Sequence, residues 1–200
     1  LSKLQEYGIV FQKYPVHISP ARRGAGIFYY MKDFYLNFYF QIIEPLLYRI
    51  QNNKSGLLFS YECIGSHEGY YIPNFSGSAF ELLVRYILES RTLNEKIFKK
   101  LQLVDGNYRV ETYWDKHTQI DIIVEHQKDR IARILECKWI TNSINQSSQF
   151  IKEVCKKQYP APAHYVQKKF LILSQKCSQE FMNEAQKQDI GILQLDGLLV

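Results

Sequence analysis

Residues 120–139 read IDIIVEHQKDRIARILECKW, two apolar runs on either side of a short polar stretch, 126–130. Runs of strand length rich in β-branched residues, separated by so short a turn, predict a β-hairpin. With the turn centred between Lys128 and Asp129, Asp121 stands directly opposite Glu136. Alternation along the strand then places Lys138 on the face of Glu136 and sends Leu135, Cys137 and Trp139 to the other. Directly opposed side chains in such a ladder have Cβ atoms about 4.5–5.5 Å apart, where two carboxylates repel unless something positive lies between them. A divalent cation is the natural remedy. Carboxylate oxygens suit a hard ion such as Mg2+ (or Mn2+), which takes one or two protein carboxylates and completes its shell with water and substrate phosphate. A lysine beside such a site is placed to stabilise charge growing on a phosphoryl transition state, or to help orient and deprotonate the attacking water. The bland alternative is that any half-exposed hairpin carries charges on its polar face.

Outward from the hairpin, strand and helix patterns alternate. Strands are predicted at 108–113, 119–125, 131–140, 169–173 and 192–195, and helices at 145–159 and 178–187. A further helix follows the Gly77-Ser78 break, with Phe80, Leu83, Val84, Ile87 and Leu88 at three-and-four spacing. Ser78 and Glu81 fit its N-cap and capping box, so Glu81 has a structural role available as well as a chemical one. From Ser78 the order is α-β-β-β-α-β with an α-β tail. That implies an α/β (α+β) fold on a mixed sheet, antiparallel at the hairpins and parallel after the crossover helix.

Upstream, residues 1–7 look like the end of a helix, and 9–16 with 27–31 form a β-rich pair that could be a wing. The turn-prone stretch between them holds Arg22 and Arg23 before Gly24 and Gly26. Residues 32–51 are dense enough in apolar and aromatic side chains to predict a largely buried helix, kinked or split at Pro45. The expected division is 1–51, a partial winged helix and linker helix; 52–76, a connector; and 77–200, the sheet domain.

The 200 residues, 46% apolar and 22% charged with a mean hydropathy of -0.28, describe a soluble globular chain of one full domain plus at most a small module. No run approaches the ~18 uninterrupted apolar residues of a spanning helix, so no membrane partner is expected. The net charge of +5 permits a polyanionic partner without demanding one. Lys152, Lys156 and Lys157 fall on one predicted helix, the first two on one face; ordinary solvated lysines are the competing reading. The four scattered cysteines form no Cys-x-x-Cys pair, which indicates a reducing cytoplasm rather than a disulfide framework or zinc ribbon. The five histidines show no metal-ligand spacing, although His117 and His126 flank the Asp121 strand. Gln149, on the helix after Lys138, is a candidate to position phosphate or metal-bound water. The absence of an initiator Met suggests a piece of a longer chain.

An acid on one strand and Glu-x-Lys on the next resembles the PD-(D/E)XK nuclease superfamily, whose restriction-endonuclease-like core has the order α-β-β-β-α-β. The match covers about residues 76–196. The resemblance implies that Asp121 and Glu136 are metal ligands, Lys138 is the catalytic lysine and Glu81 is an auxiliary acid and third ligand. Ile120 stands where that motif has proline. A narrower resemblance covers nearly the whole chain, to the C-terminal region of archaeal-type AAA+ ATPases, a winged helix joined to a nuclease-like domain. It is carried by Gly8-Ile9-Val10 with Pro15, Tyr30-Met31-Lys32-Asp33-Phe34-Tyr35-Leu36-Asn37-Phe38-Tyr39-Phe40, Gly77-Ser78-Ala79-Phe80-Glu81, Trp114, Ile120-Asp121 and Glu136-Cys137-Lys138-Trp139. That resemblance implies an ATPase domain ahead of the wing, yet no Gly-x-x-x-x-Gly-Lys-Ser/Thr loop is present here.

The leading expectation is therefore a Mg2+-dependent phosphodiesterase acting on DNA, gripped non-specifically by Arg22, Arg23, Lys152 and Lys156. The alternatives are a catalytically inactive nuclease-fold module that binds DNA or regulates an attached ATPase, and a partner-binding role for the aromatic 32–51 segment.

Overall fold

The computed structural model describes residues 1–15, 27–31, 33–44, 47, 71–90, 95–103, 107–140, 147–162 and 164–195. By their contacts the residues divide into two compact units, Leu1–Tyr14 with Pro20–Ala79, and Pro15–Ser19 with Phe80–Val200.

In the first unit a short helix α1 (Ser2–Glu6) leads into strand β1 (Val10–Lys13), which pairs antiparallel with β2 (Phe28–Met31). Asp33 caps helix α2 (Phe34–Phe38) by accepting the backbone N–H of Leu36 at 2.8 Å, and a π-helical turn, Tyr39–Ile43, continues the chain. The expectation of a largely buried helix does not hold here. Phe34, Tyr35 and Phe40 are exposed, and Asn37 and Ile42 are the buried positions among the described residues of this stretch. The expected kink at Pro45 and the turn holding Arg22 and Arg23 lie outside the described residues.

The second unit is built on a five-stranded sheet in the order β3 (Tyr108–Trp114), β4 (Gln119–His126), β5 (Ile131–Lys138), β6 (Val166–Leu173), β7 (Ile190–Gln194). The first three strands are antiparallel neighbours, and β6 and β7 add in parallel. Helix α3 (Tyr71–Ser90) supplies Phe80, Val84, Ile87 and Leu88, one apolar stripe, to a core shared with Ile122, Val124, Leu135, Ile172 and Leu193. Burying each such side chain contributes about 1.5–3 kcal/mol. Helices α5 (Ser147–Lys156) and α6 (Gln179–Lys187) cover the opposite face through Ile151, Val154, Phe181 and Ala185 against Leu171, Leu173 and Ile190. Ser178 caps α6, accepting from the Phe181 N–H at 3.2 Å. Helix α4 (Glu95–Lys100), absent from the sequence reading, follows α3. Among the described residues no helix is long and apolar enough to cross a membrane.

Two expectations about α3 are corrected. The helix does not start at Ser78; it already includes Tyr71, so the last residues of the expected connector are helical and Ser78 and Glu81 lie in its interior, not in a capping box. Gly77 costs about 1 kcal/mol inside a helix, less than the burial of the four apolar residues that follow it on the same helix. Pro73 falls in the first turn, where no intrahelical N–H is needed.

Candidate functional site

The hairpin β4–β5 keeps the register that its sequence predicts, Ile122 opposite Leu135 through His126 opposite Ile131. The paired ladder ends at Ile122, because β4 bulges at that point. Between the pairs Glu111–Ile123 and Tyr113–Ile120, the single Thr112 of β3 faces both Asp121 and Ile122. The extra residue frees the Asp121 carbonyl from the ladder. It is taken instead by the Thr112 hydroxyl at 3.1 Å and by the Arg85 guanidinium at 3.2 Å, which also donates to the Glu111 carbonyl at 3.2 Å. The Asp121 carboxylate turns to β5 and accepts the backbone N–H of Cys137 at 2.9 Å.

Around this point the acids gather. Burial above all, then the negative charges of Glu136 and Glu81, push the Asp121 carboxyl up to about 7, against the Cys137 N–H and the Lys157 ammonium, which favour its ionised form. Burial, and behind it Asp121, Glu81 and Glu136, likewise holds the Cys137 thiol well above its ordinary range, as a neutral group. Glu81 reaches the cluster from α3, and Arg85 lies one turn further along the same helix.

Glu136 is buried, and each of its oxygens meets a lysine. Lys138 lies 3.2 Å from Oε1, and the Lys157 ammonium donates to Oε2. Lys138 is also 3.2 Å from Glu153 of α5, and Glu153 accepts from the Gln149 amide at 3.1 Å. Burial draws the Lys138 ammonium down, but Glu136 and Glu153 outweigh it and hold its pKa above the ordinary lysine range. Lys138 therefore stays charged at neutral pH.

The structure thus pairs Glu136 with Lys138, sets Asp121 on the neighbouring Cys137 N–H within electrostatic reach of Glu136 and Glu81, and leaves Lys152 and Lys156 exposed on α5. Arg22 and Arg23 lie outside the described residues. His126 is held at the hairpin turn, its Nδ1 3.0 Å from Asp129, five residues and so roughly 16 Å along the strand from Asp121. Trp139 is half-exposed with its ring edge-on to Phe80. Four contributors escaped the sequence reading: Lys157, read there as one of three surface lysines; Glu153; and the Arg85 and Thr112 that hold the bulge. The signal available was the spacing of four that joins Gln149, Glu153 and Lys157 on one helix face.

Among the described residues no group of three or more His, Cys, Asp or Glu is arranged to hold a metal ion. A hard cation needs less than that from the protein, since Mg2+ usually takes one or two carboxylates. The donor chemistry fits: Asp121 is a partly buried carboxyl whose proton is held to about neutral pH by desolvation first and by the neighbouring acids second, and Glu136 offers oxygens now satisfied by ammonium groups.

A family model described as "Archaea bacterial proteins of unknown function" matches residues 39–153, more than half of the chain. An uncharacterized protein of Methanocaldococcus jannaschii is 29% identical over 112 residues, 56% of this chain and 22% of that protein. The chain thus spans less than a quarter of the relative it matches.

Proposed function

As the chain belongs to this family of archaeal and bacterial proteins of unknown function, its role has to be argued from its own site, and we propose a Mg2+-dependent phosphodiester hydrolase of the PD-(D/E)XK type that acts on DNA. The observation that carries the reading is the placing of Asp121 at the bulge of β4, its carboxylate on the Cys137 N–H and within electrostatic reach of Glu136 and Glu81, with the charged Lys138 3.2 Å from Glu136. The α-β-β-β-α-β order of the sheet unit supports it, with α4 as an addition between α3 and β3.

In this reading Asp121 and Glu136 hold the cation, with Glu81 as third acid. When bound, a divalent ion lowers the pKa of its water and offsets phosphate charge. Lys138 places a fixed positive charge against the phosphate oxygens, where charge grows in the transition state. The Cys137 N–H and the Arg85 and Thr112 donors hold Asp121 in position. Lys152 and Lys156, exposed on α5, with Arg22 and Arg23, grip the phosphate backbone, giving salt-dependent and largely sequence-independent affinity. Residues 1–51 as a partial winged helix, and an ATPase domain in the same longer protein, are proposed on the sequence resemblance alone.

The test is digestion of supercoiled plasmid with Mg2+ or Mn2+ by the wild type, Glu136→Gln and Lys138→Ala. The wild type is expected to cut and each variant to lose at least two orders of magnitude in rate, the scale of removing one preorganised charge-stabilising group; equal cutting by all three removes the mechanism. The neutralisation of Glu136 by two lysines favours a second reading, a nuclease-fold module without turnover that binds DNA or regulates an attached ATPase. It predicts DNA retention with no cleavage in either metal.

A further inference from the structure

Two ammonium groups meet one buried carboxylate at Glu136, and they are not equivalent. Lys138 is held between two acids, Glu136 and Glu153, at 3.2 Å each, so its place is fixed whether or not a second lysine is present. Lys157 has Glu136 as its one hydrogen-bonding side-chain partner among the described residues. It also sits differently on the chain: it follows the last residue of α5, with its backbone N–H on the Val154 carbonyl at 3.1 Å, and its side chain keeps 18% of its surface in solvent. A four-carbon stem in that position can carry its ammonium out to water by rotamer changes, without moving the backbone. Its charge also favours the ionised form of Asp121, so it acts on both acids while bonding one of them.

We propose that Lys157 is an internal placeholder for the divalent cation: in the metal-free protein its ammonium neutralises Glu136, and binding of the cation displaces it to solvent, while Lys138 stays. The inference rests on the metal-site reading given above. It makes cation binding a competition between a tethered monovalent charge and a free divalent one, and sets the metal affinity below what the carboxylates alone would give. A placeholder differs from a supporting ion pair in the sign of its deletion. Removing a support weakens metal binding; removing a competitor tightens it.

The experiment is calorimetric titration of the full chain with Mn2+, comparing wild type, Lys157→Met and Lys157→Arg, with thermal unfolding in chelator and in Mn2+ alongside. Methionine keeps the aliphatic stem and loses the charge. The placeholder predicts that Lys157→Met binds Mn2+ about tenfold tighter than wild type, that Lys157→Arg does not, and that Mn2+ raises the unfolding temperature of Lys157→Met more than that of wild type. Binding by Lys157→Met where the wild type shows none supports it equally. If the wild type binds Mn2+ and Lys157→Met binds equally or more weakly, the placeholder is overturned and the metal site stands. If folded wild type and Lys157→Met both ignore Mn2+, the metal-site reading falls and takes the placeholder with it.

Discussion

Replacing Asp121 by asparagine tests whether burial, with the neighbouring acids behind it, raises the Asp121 carboxyl as described. A carboxyl raised from 3.8 to about 7 is displaced by about three units, which at 1.36 kcal/mol per unit sets roughly 4 kcal/mol against its ionisation in the folded chain, as an upper bound. The folded pKa lies above the unfolded one, so the native state holds an extra proton between about pH 4 and 7. The stability from this group is full below pH 4, declines as pH rises, and is gone once pH passes about 7. Asparagine cannot ionise, yet keeps an oxygen for the Cys137 N–H. Urea unfolding in chelator, followed by tryptophan fluorescence, reports on the sheet unit, since Trp114 and Trp139 both lie there. At pH 8 the variant is expected to unfold at higher urea than wild type, by up to about 2 M for an m-value near 2 kcal/mol/M. The gap closes towards pH 4. Taking the difference between the two curves cancels the other titrating groups. A constant offset at every pH would refute the argument, because it would mean that Asp121 ionises at its ordinary cost.

Two glycines make opposite predictions. At Gly77, inside α3, an added Cβ would meet nothing within 4 Å, so Gly77→Ala is expected to stabilise the helix by about 0.5–1 kcal/mol, read as a higher melting temperature by far-UV circular dichroism. At Gly191, paired with Phe170 in the β6–β7 ladder, a Cβ would come within 2.5 Å of the Phe170 ring. Gly191→Ala should therefore destabilise by about 1–3 kcal/mol, and combining it with Phe170→Leu should recover part of that loss relative to Phe170→Leu alone, by urea unfolding.

The hairpin was legible because its information is local. The two apolar runs and the polar turn between them fix which residues pair, and alternation alone sets Lys138 beside Glu136. The mixed sheet followed from three strands in a row and a helical crossover. The start of α3 misled because Gly77-Ser78 and Glu81 carry a local cap signature, whereas the added turns carry Phe75, which packs with Phe38 and Ile42. The bulge leaves no mark in the sequence of β4; it depends on Arg85 and Thr112, which arrive from other elements. Lys157 was missed for a related reason: the spacing of four puts it on the face of Gln149 and Glu153, apart from Lys152 and Lys156, but only the crossover geometry, which returns the end of α5 to β5, shows what that face meets.

The bulge also constrains how β4 can err. A regular strand slips by one residue at the cost of exchanging its two faces, whereas this one would have to carry its irregularity along and leave Arg85 and Thr112 with no free carbonyl to meet. Substitutions among the surrounding isoleucines should thus loosen the packing long before they shift Asp121 along the sheet, and the height of that acid against Cys137 is anchored by a defect rather than by regularity.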